Sequence, residues 1–502
     1  MADGHDTTPN ESFDRVRDRV GVGVAVAGPK LAVPTVGAAR VTGVCVAHRV
    51  DTFRTVFLHR IDHTRVCRLL YWNAMTDVTE TTPLRQLMAY LDSSPSPFHA
   101  VESARKLLES AGFSELTQRE AWSQVAGKHF ATRNGALIAW VANEPDPTNL
   151  GVHIVGAHTD SPNLRIKPHP DTANVGWRQL GVEIYGGVLA NSWLDRDLGL
   201  SGQVLLSDGS TRLVLVNRPV ARIPQLAIHL DREVNEKGLI LDKQNHLLPV
   251  IGLGASEKGD VMKWLAEEAG IDATTIVGAD LMLHDLTPAQ TLGTNNELLA
   301  SGRIDNLFSA WAAISALVHS CDTTGRVCIA ALFDHEEIGS GSTTGAAGPF
   351  LESTIDRVLH GLGVTDPDTR ARTIAASTCV SADMAHSVHP NYAERHEPGH
   401  RPLPNAGPVV KVNVNQRYAT DSTTAAFFAA ACDRAEVPHQ VFVSKNSQPC
   451  GSTIGPITAT RLGIATVDVG CAMLSMHSAR ELCGADDADL MLRALSSYYR
   501  DR

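Results

Sequence analysis

The sequence ALFDHEEIGS, which occupies residues 331–340, contains the features that decide the fold. An apolar run from Val327 to Phe333 predicts a buried strand that ends abruptly in four titratable residues and a Gly-Ser loop. In an α/β protein, ligands bind at the carboxyl ends of such central strands. Glu336 and Glu337 would repel each other there, so we expect a cation, a shared proton or solvent to hold them. For this stretch alone, a solvated acidic turn is the plainer interpretation.

The bulk composition is that of an ordinary globular protein. The chain has 502 residues, 43% of them hydrophobic and 20% charged, which allows two or three domains or one domain with an insertion. The net charge of −11 argues against nucleic acid as a partner. Nine scattered cysteines without a C-x-x-C pair indicate a reducing compartment. We find no signal peptide and no apolar run near the roughly 20 residues of a membrane span, so we expect a cytoplasmic protein without a membrane partner.

The sequence pattern divides the chain into four segments. Residues 1–74 show no sustained helical or strand period, so we predict either a disordered extension or a mis-assigned start, and we favour a true start near Met75. Residues 75–167 and 296–502 alternate between helical and strand patterns and would form the two parts of one α/β domain. Residues 168–295 contain short alternating runs and turn signals, which predict an inserted β-rich domain.

Within these segments the apolar periodicity predicts individual elements. The expected helices cover residues 83–91, 98–110, 305–319, 423–435 and 485–499. The expected strands cover residues 136–142, 152–156, 204–206, 212–216, 327–333, 378–382, 409–414, 440–443 and 465–469. Residues 260–269 and 287–291 are expected to be helical or loop pieces.

Polar residues that could bind a metal lie at five separate strand or helix termini. They are His158, Asp305, the pair Glu336 and Glu337, Asp383 and His477. Taken singly, Asp305 could be a helix N-cap and the others loop residues. Together, two histidines and three carboxylates form a nitrogen and oxygen ligand set that suits two Zn²⁺, Mn²⁺ or Co²⁺ ions. One glutamate is then left over, and a glutamate beside such ions is suited to act as general base for a metal-activated water.

A second carboxylate lies close to the first histidine in the sequence. His158-Thr159-Asp160 follows the strand predicted over residues 152–156. A metal-binding histidine becomes more basic and keeps one tautomer when a carboxylate accepts a hydrogen bond from its other ring nitrogen. Asp160 could fill that role, although a polar surface turn is the plainer interpretation of H-x-D alone.

Five motifs in order along residues 80–500 resemble the M18, or aspartyl aminopeptidase-like, family of metalloaminopeptidases. They are SPSPFHA (94–100), GAHTDSP (156–162), DHEEIGS (334–340), SADMAH (381–386) and MHSARE (476–481). The resemblance implies two metal ions, zinc first and manganese or cobalt as alternatives. The implied roles are His158 and Asp383 on one ion, Glu337 and His477 on the other, Asp305 bridging both, Glu336 as general base and Asp160 orienting His158.

The resemblance also implies four substrate contacts, His229, His386, Lys411 and Tyr418. His229 would reach the active site of a neighbouring subunit, although a lone histidine in an apolar run is more often a satisfied core residue. For Lys411 and Tyr418 the plainer interpretations are a lysine at a sheet edge and an ordinary half-buried tyrosine.

The family fold implied is a three-layer α/β/α catalytic domain with an inserted β-rich dimerisation domain, assembled from dimers into dodecamers. The implied function is hydrolysis of peptides at their N-terminus. Lys411 would favour acidic P1 residues, Asp or Glu. The alternatives are an aminopeptidase of the family that prefers neutral residues such as Leu, a non-catalytic assembly protein on the same fold, and another two-metal hydrolase such as a deacylase or dipeptidase.

Overall fold

The structure, a computed structural model, describes residues 82–143, 150–320 and 325–500. The extension or mis-assigned start predicted for residues 1–74 lies outside these ranges. The α-helices are α1 (Pro83–Ser93), α2 (Pro97–Ser110), α3 (Val234–Lys237), α4 (Asp260–Ala269), α5 (Ile304–His319), α6 (Phe350–Gly361), α7 (Pro367–Ala375), α8 (Ser422–Arg434), α9 (Ile454–Leu462) and α10 (Asp487–Tyr499).

The strands range from two to twelve residues in length. They are β1 (Ser114–Glu115), β2 (Gly127–Arg133), β3 (Ala136–Asn143), β4 (Val152–His158), β5 (Asn163–Asn174), β6 (Trp177–Tyr185), β7 (Leu198–Leu206), β8 (Thr211–Ala221), β9 (Val250–Leu253), β10 (Ile276–Asp285), β11 (Gln290–Leu292), β12 (Leu298–Ser301), β13 (Arg326–Phe333), β14 (Thr378–Ala382), β15 (Ala385–His386), β16 (Val409–Val412), β17 (Gln440–Val443), β18 (Ala465–Gly470), β19 (Ala472–Leu474) and β20 (Glu481–Gly484).

A nine-stranded sheet forms the centre of the molecule, in the order β1-β2-β3-β13-β4-β14-β18-β16-β17. Its four middle strands, β13, β4, β14 and β18, run parallel to one another. The register pairs Phe333 with His158 and Ser381 with Gly156, so these strands end at nearly the same level. The residues that follow them therefore meet at one edge of the sheet, as the sequence predicted.

Helices cover both faces of this sheet. Along β13, Cys328, Ala330 and Leu332 pack into a core with helices α1, α2, α5, α8 and α10. The alternate residues, including Ile329 and Phe333, pack on the other side against α6 and the start of α9. Alternation along a strand places successive side chains on opposite faces. The predicted three-layer α/β/α arrangement is confirmed.

A second sheet of six antiparallel strands, in the order β8-β7-β10-β5-β6-β9, carries its own apolar core around Leu164, Leu200 and Leu281. It accounts for the β-rich pattern predicted over residues 168–295. Strand β5 begins at Asn163 and crosses the predicted boundary, so the boundaries of the inserted domain stay a prediction.

A third, five-stranded sheet was not predicted from the sequence. Its order is β11-β12-β20-β19-β15, and β15, β19 and β20 have two to four residues each, too few to show a period. Residues 290 and 291, expected in a helical or loop piece, belong to β11, and the strand predicted over 409–414 ends at Val412. Among the described residues, no helix is long and apolar enough to cross a bilayer.

Candidate metal centre

The predicted ligands converge at the carboxyl edge of the central sheet. His158 is the last residue of β4, Asp383 follows β14, and Glu337 lies in a short 3₁₀ turn just after β13. Asp305 enters from the first turn of α5, and His477 follows β19 of the third sheet. Five separate chain segments thus deliver one ligand each.

The two carboxylate oxygens of Asp305 face different histidines. The Nε2 atom of His158 lies 3.4 Å from Oδ1 of Asp305 and 3.5 Å from Oδ1 of Asp383. The Nε2 atom of His477 lies 3.5 Å from Oδ2 of Asp305 and 3.3 Å from Oε2 of Glu337. The side chains therefore form two adjoining groups of nitrogen and oxygen atoms that share Asp305.

The chemistry of these groups fits divalent cations. Oδ1 of Asp305 and Oε1 of Glu337 are buried and have no hydrogen-bond partner among the described residues. Buried polar atoms are normally satisfied, so such orphaned oxygens indicate a ligand. Donor atoms of His158, Asp305 and Glu337 lie within 4.8 Å of one another. Imidazole and carboxylate donors suit zinc, manganese or cobalt.

The electrostatics also favour cations. Burial and, to a smaller extent, the neighbouring Asp383 carboxylate together raise the pKa of Glu336 to about 8 against the opposing effect of His158. Burial alone would lower the pKa of His158, yet the negative charges of Asp160, Asp305 and Asp383, each within 3.5 Å of a ring nitrogen, hold the pKa well above its usual value. One ammonium group, that of Lys411, faces this cluster of carboxyl groups. The carboxyl groups are those of Asp160, Asp305, Glu336, Glu337, Asp383 and Glu481.

Asp160 connects the first histidine to the two glutamates. The Nδ1 atom of His158 lies 3.0 Å from the backbone oxygen and 3.3 Å from Oδ1 of Asp160. An Nδ1–H that donates here leaves Nε2 to face Asp305. The Asp160 carboxylate also accepts from the backbone amides of Glu336 and Glu337, each at 3.1 Å. Asp160 therefore fixes the imidazole ring of His158 and the 3₁₀ turn Glu336–Ile338, called the glutamate turn below.

Tyr185 was missed by the sequence analysis. Its hydroxyl donates to Oδ2 of Asp160 at 2.7 Å from the end of β6, in the six-stranded sheet. Nothing in its local sequence distinguishes it from any other strand tyrosine. Only the tertiary packing of β6 against the glutamate turn gives it this contact.

The two glutamates differ in their surroundings. The side chain of Glu337 is 4% exposed and lies against His477. The side chain of Glu336 is 16% exposed, and its nearest histidine nitrogen, Nε2 of His158, is 3.9 Å from Oε2. One glutamate is thus inside the ligand group and the other stands at its rim.

Asp305 is not a helix cap. Arg303 holds the N-cap position and makes no side-chain capping bond, while Asp305 has non-helical backbone angles of φ −81° and ψ 105°. Its amide donates to Oε2 of Glu481 at 2.9 Å. The N-cap interpretation is therefore wrong, and the Asp305 carboxylate is directed at the two histidines.

His477 is held by the six-stranded region as well as by its own loop. Its ring Nδ1 lies 3.1 Å from the backbone oxygen of Gly187, and its backbone oxygen accepts from the amide of Leu189. A Cβ on Gly187 would lie 3.0 Å from that Nδ1 atom, so a side chain at this position would push the imidazole ring by a few tenths of an ångström. The loop after β6 therefore sets the position of the second histidine.

Three of the predicted substrate contacts lie together beside Asp383. Lys411 is 2% exposed, and its Nζ donates to Oδ2 of Asp383 at 3.1 Å and to the Met384 oxygen at 3.2 Å. It lies on β16, between β18 and β17, so the sheet-edge interpretation is wrong. Tyr418 is 5% exposed rather than half-buried, and its ring centroid is 5.1 Å from that Nζ.

His386 borders the same corner. Its ring packs edge-on against Phe442 with centroids 6.0 Å apart. The side chain is exposed to solvent, while burial, followed by the charge of Lys411, lowers its pKa. The solvent exposure and the lowered pKa agree if the His386 ring lies in a depression, with one side open to solvent and the other sides surrounded by protein.

His229 lies apart from the other predicted residues. It occupies an exposed turn with Leu226, Ile228 and Leu230, which are 64%, 47% and 74% exposed. The core-histidine interpretation is therefore wrong. Within the described ranges, no hydrogen bond or ion pair joins His229 to the carboxylate cluster of its own chain.

Comparisons with known proteins agree over most of the chain. Residues 90–499 match the family model described as aminopeptidase I zinc metalloprotease (M18). A relative from Streptomyces coelicolor, named probable M18 family aminopeptidase 2, is 54% identical over 417 residues, which are 82% of this chain and 96% of the relative.

Solved structures share the fold. A chain in the cryo-EM structure of the Ape4 and Nbr1 complex gives a TM-score of 0.80 at 37% identity, covering 83% of this chain and 85% of that chain. The S. cerevisiae mApe1 dodecamer gives 0.73 at 27% identity, covering 83% and 96%. The resemblance drawn from the five sequence motifs is confirmed, and the chain belongs to the M18 family of aminopeptidases.

Proposed function

We propose that the protein releases N-terminal residues from peptides by means of two divalent metal ions, zinc by preference. The observation that supports this most directly is the position of Asp305, whose two oxygens face His158 and His477 separately. His158, Asp383 and Asp305 would hold one ion, and His477, Glu337 and Asp305 the other. The family description as a zinc metalloprotease supports zinc, and the donor atoms also suit manganese and cobalt.

Glu336 is the proposed general base. When bound, the ions would polarise the scissile carbonyl and lower the pKa of water. Glu336 stands at the rim of the ligand group, where its carboxylate can accept a proton from water and deliver it to the leaving amine. Asp160 holds the amides of both glutamates, so Glu336 keeps its place while Glu337 stays among the ligands. The ring of His386 or the hydroxyl of Tyr418 would donate a hydrogen bond to the developing oxyanion.

The substrate we propose is a peptide with a free α-amine and an acidic first residue. The excess of carboxylates around the site favours a cationic amine. Lys411 already donates to Asp383 and to the Met384 oxygen, and an ammonium has a third hydrogen to offer an acidic side chain. A preference for neutral residues such as Leu is the alternative, since an ammonium satisfied by Asp383 does not require an acidic substrate.

The test combines metal analysis with three substrates. Purified protein should contain two zinc equivalents per chain, and Asp- and Glu-anilides should be cleaved faster than the Leu-anilide. Protein that hydrolyses none of them when reconstituted with zinc, manganese or cobalt would refute the function. Faster cleavage of the Leu-anilide would overturn the acidic preference alone.

We propose further that the protein is cytoplasmic and self-assembles, as dimers within a dodecamer. The support is the exposed apolar turn around His229 and the dodecameric assembly named for the S. cerevisiae neighbour. In such an assembly His229 would serve a neighbouring active site. Mixed assemblies of His229→Ala and Glu336→Gln chains should then regain activity that neither has alone, because some sites would receive both intact residues. No recovery on mixing would contradict a role in trans.

A further inference from the structure

We propose that Glu481 is a positioning residue that holds the backbone of two metal ligands and thereby sets the spacing of the two ions. The residue begins strand β20 and is 2% exposed. The sequence analysis quoted it only as the last letter of the MHSARE motif and gave it no role. The inference rests on the two-metal function proposed above.

The carboxylate of Glu481 accepts one amide from each of two ligand residues. Its Oε2 accepts from the backbone N–H of Asp305 at 2.9 Å, and its Oε1 accepts from that of His477 at 2.7 Å. Asp305 is the shared ligand and His477 belongs to the second ion alone. One rigid carboxylate plane therefore fixes the distance between two segments that lie far apart in the sequence.

Both segments need such a restraint. His477 has a left-handed φ of +68°, and Arg303, two residues before Asp305, has a φ of +61°. Non-glycine residues occupy this region only when surrounding contacts hold them there. With a cation bound nearby to keep the Glu481 carboxylate ionised, these hydrogen bonds would be charge-assisted and stronger than bonds between neutral groups. Glu481 thus stabilises a local backbone that would otherwise relax.

A second carboxylate, that of Asp160, holds ligand segments in the same way. Asp160 accepts from the amides of Glu336 and Glu337, just as Glu481 accepts from those of Asp305 and His477. Each carboxylate lies behind the ligands and fixes two of the backbone segments that carry them. Residues that orient metal ligands in this way typically contribute about 10–100-fold to metal affinity.

The chain provides a matched control in Asp487, at the start of α10. Asp487 is fully buried and also accepts two backbone amides, those of Asn405 at 2.8 Å and Gly407 at 3.2 Å. None of these residues contacts the centre in the described structure. Asp487→Asn therefore removes a buried carboxylate that accepts two backbone amides, without changing a segment that carries a predicted ligand.

The experiment measures zinc affinity by competition with a chromogenic chelator, and the rise in melting temperature on adding zinc to the metal-free protein. Two substitutions are needed. Glu481→Gln would turn an amide NH₂ toward one of the two backbone donors. Glu481→Asp keeps the charge but is one methylene too short to reach both. Both variants should lose about 10–100-fold in zinc affinity and show a reduced thermal shift.

The control, Asp487→Asn, should melt at a lower temperature but keep the affinity and thermal shift of the wild type. An equal loss of zinc affinity in Asp487→Asn would overturn the positioning role. Wild-type zinc affinity in Glu481→Asp would also overturn it, because a negative charge alone would then be enough. If the wild-type protein itself binds no zinc, manganese or cobalt, the metal-dependent function fails, and this inference fails with it.

Discussion

The two adjacent glutamates should respond differently to the same substitution. In Glu336→Gln, we expect metal content to stay at the wild-type level, because Oε2 of Glu336 is 3.9 Å from the nearest ligand histidine and stands at the rim. Turnover should fall by about 10²–10⁴, the usual contribution of a general base. This range corresponds to about 2.7–5.4 kcal/mol in the activation free energy.

Glu337→Gln should lose metal as well as turnover. Oε2 of Glu337 lies 3.3 Å from Nε2 of His477, and its Oε1 is buried without a partner. A neutral amide there would remove the charge and place an NH₂ group among the ligands. We expect about one equivalent of metal to be lost per chain, with His477 and Asp305 left as the remaining ligands of that ion.

Elemental analysis after gel filtration, together with kcat on an Asp-anilide at saturating zinc, distinguishes the two variants. The matched amide substitution keeps the side-chain volume, so differences report chemistry rather than packing. Equal metal loss in both variants would refute the division of roles between Glu336 and Glu337. Full metal content with unchanged kcat in Glu336→Gln would show that another group is the base.

Three further perturbations test the surroundings of the centre. Tyr185→Phe removes the hydroxyl that donates to Asp160 and should lower stability by about 1.5–3 kcal/mol in urea unfolding; unchanged unfolding would argue against this contact. Gly187→Ala places a Cβ 3.0 Å from Nδ1 of His477 and should reduce bound zinc on titration, with Gly252→Ala on β9, whose Cβ would meet nothing within 4 Å, as a control for zinc content. Burial lowers the pKa of His99 to about 4, so the folded protein favours the neutral imidazole. The free energy of unfolding should therefore fall as pH drops from 6.5 toward 4. By pH 5 the decrease should be about 2 kcal/mol in the wild type and smaller in His99→Gln.

Three of the candidate ligands, His158, Asp383 and Glu337, could be found from the sequence because each follows a strand with a strong apolar pattern. The apolar run Val327 to Phe333 predicts a strand by composition alone, and parallel strands place their carboxyl ends together. His158, Asp383 and Glu337 then meet by topology, without knowledge of any side-chain contact. The family motifs assigned separate roles to Glu336 and Glu337, which the residues alone left open.

The sequence could not predict the hydrogen bonds that hold the candidate ligands in place. Glu481 accepts the amide of Asp305, which lies 176 residues away, and no periodicity or spacing encodes such a partner. The side-chain hydrogen bond from Tyr185 to Asp160, 25 residues earlier, is equally absent from any sequence pattern. Asp305 shows the reverse problem. An aspartate at a helix start usually caps it, and only the structure reveals that Arg303 takes that position instead.

The way the ligands are held suggests why the centre needs so much buried charge. Left-handed backbone occurs at Arg303, His335, Ser340, Ser475 and His477, all close in sequence to a ligand. Each such residue costs of order 1–3 kcal/mol. Charge-assisted hydrogen bonds from backbone amides to the carboxylates of Asp160 and Glu481 can offset much of that cost, at about 1.5–3 kcal/mol each.

The same carboxylates have a second effect. They add negative charge behind ligands that are already acidic, which destabilises the metal-free centre and strengthens the attraction for cations. Backbone positioning and cation affinity are therefore coupled through Asp160 and Glu481. A substitution at either residue should separate two quantities that ordinarily change together, the stability of the metal-free protein and its affinity for zinc. Neutralising the carboxylate can relieve repulsion in the metal-free fold even while it weakens binding.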